Sequence, residues 1–167
     1  MKYAGMILND TAAAPGICLS VYTQGCPHHC KNCFNPETWD FNGGKEFTGE
    51  TMNKIIANLN KYGIQRSLCI LGGEPLCKQN LALTEFIINS VKAALPETKI
   101  YVWTGYILED LILDENEHLK SVLNKINYLI DGPFIEEKRD LRLQMRGSSN
   151  QRIIHINQGI FEFVDKI

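Results

Sequence analysis

The chain has 167 residues, 44% of them apolar and 22% charged, which is enough for one compact domain with a real core and too few for two ordinary ones. A formal net charge of −2 and a pI near 6.1 exclude the overall positive field that holds nucleic acid or an anionic membrane surface. One domain spanning residues 1–167 is expected.

The N-terminal stretch from Met1 to Asp10 has no apolar run of signal-peptide length. No segment approaches the ~18 uncharged apolar residues of a membrane span, so a cytoplasmic protein is expected. There, six cysteines point to metal or redox chemistry rather than to a disulfide framework. Cys18, Cys69 and Cys77 read as small core hydrophobes, the first two because they lie inside apolar runs.

In chain order, Ile17 to Thr23 reads as a strand that delivers the chain into Cys26-Pro27-His28-His29-Cys30-Lys31-Asn32-Cys33. The loop continues through the turn formers Asn35, Pro36, Asn42, Gly43 and Gly44. Thr48 is the expected N-cap of a helix with Met52, Ile55, Ile56 and Leu59 on one stripe, ending near Gly63. Ser67 to Leu71 is a second strand, stopped by Gly72-Gly73. A second helix puts Leu83, Phe86, Ile87, Val91 and Ala94 on one face before Pro96. Lys99 to Trp103 is a strand, and Leu119, Val122, Leu123 and Ile126 mark a third helix. Asn127 to Ile130 is a strand broken by Asp131-Gly132-Pro133, and Arg152 to Ile156 is the last.

The order β, α, β, α, β, α, β, β, with strands apolar throughout, predicts an α/β fold with a mainly parallel sheet. A closed eight-stranded barrel takes ~250 residues, and about five strands are legible, so the expected architecture is an incomplete, splayed (β/α) barrel with an open side. Ligand sites in parallel sheets lie at the carboxyl ends of the strands. The cysteine loop, Gly72-Gly73-Glu74-Pro75, Thr104-Gly105-Tyr106 and Asp131-Gly132-Pro133 all fall there.

The cysteine spacing offers three thiolates to one metal centre. A four-iron four-sulfur (4Fe-4S) cube held by three thiolates keeps one iron open to another ligand. The competing reading is a zinc-held interaction module, its tetrahedron completed by His28, His29, Cys18 or Cys77; against it, zinc sites usually pair two Cys-x2-Cys units. His28 and His29 read as loop residues, and neither His118 nor His155 has a partner that suggests catalysis.

Cys-x3-Cys-x2-Cys after a first strand and Gly-Gly-Glu-Pro after a second resemble the radical S-adenosylmethionine superfamily. Gly25 to Cys30, Asn35-Pro36-Glu37-Thr38-Trp39, Val102-Trp103-Thr104-Gly105-Tyr106, Asp131-Gly132-Pro133-Phe134 and Arg146-Gly147-Ser148-Ser149-Asn150-Gln151 resemble, more narrowly, the activating proteins of anaerobic ribonucleoside-triphosphate reductases. The resemblance runs from about residue 3 to residue 157.

The resemblance implies a 4Fe-4S cluster on Cys26, Cys30 and Cys33, with S-adenosyl-L-methionine chelating the fourth iron. It implies that Gly72 and Gly73 let the main chain approach the methionyl amino group, with the Glu74 carboxylate beside it. The superfamily commonly has an aromatic residue just before the third cysteine; here that residue is Asn32, and the ring is displaced to Phe34. Both are carried as positions lining the nucleotide, and Thr104 and Asp131 as further polar contacts, although Asp131 also reads as a turn former. No side chain is expected to act as acid or base. The implied product is a glycyl radical on the reductase large subunit, with a flavodoxin-type or similar one-electron donor. Arg146, Ser148, Asn150 and Gln151 are candidates for partner docking, against a plain polar connection. Activation of another glycyl-radical enzyme is the alternative within this class.

Overall fold

The computed structural model describes residues 1–167. Its strands are β1 (Lys2–Asp10), β2 (Cys18–Thr23), β3 (Lys45–Glu46), β4 (Ser67–Gly72), β5 (Ile100–Trp103), β6 (Tyr128–Asp131), β7 (Arg152–Asn157) and β8 (Ile160–Val164). Its helices are α1 (Gly49–Leu59), α2 (Leu81–Ala94), α3 (Leu108–Leu113) and α4 (Glu117–Lys125). All strands join one sheet, in the order β3-β1-β2-β4-β5-β6-β7-β8.

The α/β class is as expected; the splayed barrel with a mainly parallel sheet is corrected. The sheet is open and mixed, with β2, β4, β5 and β6 parallel and antiparallel pairings on both flanks. The connections explain the flanks, one by its length and the other by lacking a crossover helix. Residues 11–17 between β1 and β2 are too few for a crossover, which takes about a dozen, so β2 folds back along β1. Residues 132–151 carry no α-helix, and β7 returns against β6. Gln158 (φ 49°) and Gly159 (φ 80°) close β7 and β8 into a two-residue hairpin whose paired positive φ values match the twist of the strands.

Three strands lie outside the sequence expectation. β1 is mostly half-buried and so lacks an apolar run; β3 is a two-residue edge; β8 follows a Gln-Gly turn rather than the stronger Asn-Gly signal. The short α3 has no side-chain cap and was equally silent.

The parallel strands follow one another in chain order, so each right-handed crossover lands on the same side of the sheet. Leu19, Val21, Leu68, Ile70, Ile100, Val102 and Leu129 meet α1, α2 and α4 there in a cluster of 25 buried residues. The other face holds a cluster of six, Ala14, Cys18, Cys69, Tyr101, Ile130 and Ile153, covered by loops. At ~1.5–3 kcal/mol per buried large aliphatic side chain, the helical face dominates stability.

Thr48 caps α1 as expected, its hydroxyl accepting from Thr51 N at 3.3 Å. In α2 the buried residues are Leu81, Leu83, Thr84, Ile87, Ile88 and Val91, so Leu83, Ile87 and Val91 of the expected face are buried. Phe86 is 44% exposed and meets Phe47 edge-on, and Ala94 is exposed. No helix is long and apolar enough to cross a membrane.

Candidate metal centre

β2, β4, β5 and β6 end at one edge of the sheet, where four loops converge. The first leaves β2 through Gln24 and Gly25. Gln24 Nε2 donates to Asp40 O at 2.7 Å, Gly25 N to Thr38 O at 2.7 Å and Cys26 N to Trp39 O at 3.1 Å. Gly25 O accepts from Glu74 N at 2.8 Å and from Asn80 Nδ2 at 3.0 Å. The chain is thus pinned from both sides immediately before the first thiol. Left-handed turns at His29 (φ 49°) and Asn32 (φ 54°) coil the segment that carries the other two.

Cys26, Cys30 and Cys33 all line one cavity of about 270 Å³. It is completed by Phe34, Gly72, Gly73, Glu74, Thr104 and Gln151 among the expected residues, by His28, weighed in the sequence only as a zinc ligand, by Trp103 and Phe134, which fell in motifs but were not named as site residues, and by Met145, which carried no signal. Burial pushes the Cys26 thiol up to about 11, and the amides of His28 and His29 partly offset this. Burial also raises Cys30, against the Phe134 amide. Asn35 N donates to Cys33 Sγ at 3.4 Å. Each sulfur therefore meets a main-chain N–H, the dipole arrangement that favours thiolate and tunes a thiolate-ligated metal.

Gly73 is needed for the loop itself: a Cβ there would stand 2.4 Å from Gly25 O. Gly72, at φ 77°, would meet Tyr22 at 2.7 Å. Glu74 is 1% exposed, and its carboxylate is a junction. Oε1 accepts from Leu76 N (2.9 Å) and Thr104 Oγ1 (2.8 Å); Oε2 accepts from Gly105 N (2.7 Å) and His28 Nε2 (2.9 Å). One side chain ties the ends of β4 and β5 to the cysteine loop.

The remaining candidates divide between the rim and the surroundings of the cavity. Asn32 is exposed, and Phe34, 51% exposed, packs on Phe134 at the cavity mouth. Asp131 is fully buried outside the cavity lining; it accepts from Leu108 N at 2.7 Å and from Arg152 Nε at 2.9 Å, and pairs with Arg152 Nη2. Its partners are thus a helix start and an arginine. The Arg146 to Gln151 segment is knitted to its surroundings. Arg146 donates to Asp165 O, Ser148 Oγ accepts from Ile135 N, Asn150 Nδ2 donates to Pro133 O, and Gln151 bridges Gly147 N to Gly132 O. Asn80 and His28 reach Gly25 and Glu74 over 55 and 46 residues, a pairing with no local signal.

No three His, Cys, Asp or Glu side chains converge on a single-ion site, whereas structural zinc draws four ligands to within about 2.3 Å of one ion. His29 stacks on Trp39, and Cys18 donates to Asp10 O within the opposite face. Three thiols around a shared, largely apolar cavity fit a cluster whose irons take ligands at separate corners. His28 and Glu74 are engaged with each other, so the thiols are the lining groups left free to ligate.

Residues 12–154 match the family model described as a 4Fe-4S single cluster domain. The chain is similar to proteins named anaerobic ribonucleoside-triphosphate reductase-activating protein. It is 38% identical to that of Salmonella typhi over 93% of this chain and 99% of the relative. For the Vibrio cholerae protein the identity is 38%, over 93% and 97%; for that of Enterobacteria phage T4 it is 34%, over 97% and 99%.

Proposed function

The chain belongs to the family of anaerobic ribonucleoside-triphosphate reductase-activating proteins, and on that premise we propose that it places a glycyl radical on the large subunit of the anaerobic reductase. A 4Fe-4S cluster in the cavity would supply one electron for reductive cleavage of S-adenosyl-L-methionine to methionine and a 5′-deoxyadenosyl radical, which takes a hydrogen atom from a glycine Cα of that subunit. The chain is then a radical S-adenosylmethionine oxidoreductase, one domain over residues 1–167, working in the cytoplasm with a flavodoxin-type or similar donor.

The observation that carries this reading is the free donor set: three thiols face one cavity, and no uncommitted His, Asp or Glu lines it. Cys26, Cys30 and Cys33 would hold the cluster and leave one corner for the cofactor. Gly72, Gly73 and Thr104, with Glu74 beside them, would hold the cofactor's amino acid portion, and Phe34 its nucleotide. Asn32 and Asp131, which do not line the cavity, have a weaker claim to that contact. The residues' task is positioning and exclusion of water, and Phe34, Trp103, Phe134 and Met145 supply apolar wall for it. Phe34 lines the cavity while half exposed to solvent, and the reductase would complete the enclosure, with Arg146, Ser148, Asn150 and Gln151 shaping that rim.

The test is anaerobic reconstitution with iron and sulfide, then dithionite, S-adenosylmethionine and the reductase, read by electron paramagnetic resonance. A glycyl radical signal with 5′-deoxyadenosine is expected. 5′-Deoxyadenosine without a protein radical removes the partner and favours another glycyl-radical enzyme; colourless, zinc-loaded protein that takes up no iron and sulfide removes the whole reading.

A further inference from the structure

The Glu74 carboxylate is saturated. A carboxylate offers about four acceptor directions, and Leu76 N, Thr104 Oγ1, Gly105 N and His28 Nε2 fill them at 2.7–2.9 Å. A cationic amino group entering the cavity beside Glu74 therefore finds no vacant acceptor there unless one donor leaves. Leu76 and Gly105 donate through the main chain, and Thr104 is buried. His28 differs: its donor sits on a side chain from the cysteine loop, its ring lines the cavity, and the side chain is 19% exposed. A carboxylate only accepts, so Nε2 carries the hydrogen of this bond.

We propose that His28 is an exchangeable positioning residue, which holds the Glu74 carboxylate while the cavity is free and yields that acceptor to the ammonium group of the methionyl cofactor. The inference rests on the proposed cofactor reading and deepens it. His28 keeps Glu74 aimed at the cavity and joins the Cys26–Cys30 span to the end of β4 before the ligand arrives. Cofactor binding then trades one charge-assisted hydrogen bond for another, and affinity is lowered by whatever the displaced bond was worth.

The sign of one substitution tests this. In oxidised, cluster-loaded protein, which has no electron to cleave the cofactor, S-adenosylmethionine binding is followed by titration calorimetry. His28→Ala leaves Glu74 with three donors and a vacant acceptor, so the dissociation constant is expected to fall by roughly tenfold, the worth of one hydrogen bond to a charged group. His28→Gln, which keeps an N–H donor, is expected near wild type. An unchanged or weakened affinity in His28→Ala overturns the exchange while the cofactor reading survives. Wild-type protein that shows no response to the cofactor overturns both.

A second measurement covers a His28→Ala protein that fails to load its cluster. Nitrogen-15 histidine NMR of the oxidised wild-type holoprotein reports the His28 Nε2 hydrogen bond directly. Adding the cofactor is expected to move that resonance out of its carboxylate-bonded position, and an unmoved resonance overturns the proposal.

Discussion

Two sets of three cysteines stand in this chain, and their difference lies in what surrounds them. Cys18 and Cys69 sit on β2 and β4 and Cys77 in a tight turn, all at most 2% exposed. Cys26, Cys30 and Cys33 occupy an irregular loop, the latter two partly exposed, with a common cavity in front. Burial raises Cys26 and Cys77 alike, so a shifted thiol does not tell a ligand from a packing residue. Main-chain amides do not separate them either, since those of Asn80 and Gln79 reach Cys77; what does is the shared empty volume in front of the loop thiols.

Alanine substitution breaks the comparison most sharply. Cys26→Ala, Cys30→Ala or Cys33→Ala is expected to abolish stable cluster uptake, measured as bound iron and sulfide after anaerobic reconstitution, while circular dichroism of the cluster-free protein stays native. Next in size is Gly73→Ala, which touches no thiol. Its Cβ would press on two backbone oxygens, Gly25 O at 2.4 Å and Thr23 O at 3.0 Å, so the loop must shift. Overpacking against backbone at this distance is expected to cost about 3 kcal/mol and to reduce cluster content. Gly5→Ala, with nothing within 4 Å of the added carbon, is expected to stay within about 0.5 kcal/mol. Chemical denaturation of both variants checks the pair.

The same contrast between local and assembled features decided what could be read in advance. The cysteine triplet was legible because its spacing is local, and so were α1, α4 and the four parallel strands, whose apolar runs announce burial. β1 was not, because its half-buried residues make no run, and its pairing depends on a short link whose effect appears only once β2 is placed. On α2, Leu83, Ile87 and Val91 are buried as the periodicity implies, while Phe86 lies at the edge of that face, half exposed against Phe47. The His28–Glu74 bond and the Asn80 clamp on Gly25 join residues that only the sheet brings together, so no spacing encodes them. The thiols that line the cavity were therefore visible in the sequence, and the scaffolding that places them was not.

Asp131 gives the third test, since it stands at a strand end like the site residues but faces away from the cavity lining. Asp131→Asn removes a buried carboxylate from Arg152 and from the amide that starts α3. Because Arg152 is one-third exposed, the expected loss is about 2 kcal/mol, below the range for fully buried pairs. That lowers the melting temperature by about 4–8 °C. S-adenosylmethionine affinity of the folded, cluster-loaded variant is expected to be unchanged; a selective loss of affinity would return Asp131 to the cofactor contacts.

Apart from the neutral Gly5→Ala control, the smallest expected effect belongs to the packing cysteines. Cys18 and Cys69 lie on neighbouring strands β2 and β4, and the adjacent Cys18 thiol together with burial pushes the Cys69 thiol up. Each is completely buried, so Cys69→Ala removes one sulfur from a tight layer beside Tyr101 and Ile130. A loss of about 1 kcal/mol with undiminished cluster content is expected. Alkylation followed by mass spectrometry puts all six thiols on one scale. In folded, cluster-free protein, iodoacetamide is expected to reach Cys30 and Cys33 first and to spare Cys18, Cys69 and Cys77 until denaturant is added. Reconstitution should then protect the loop thiols while leaving the packing set as it was. Equal protection of both sets by the cluster would mean that metal binding folds the whole sheet, and the division between a preformed scaffold and a metal-holding loop would fall.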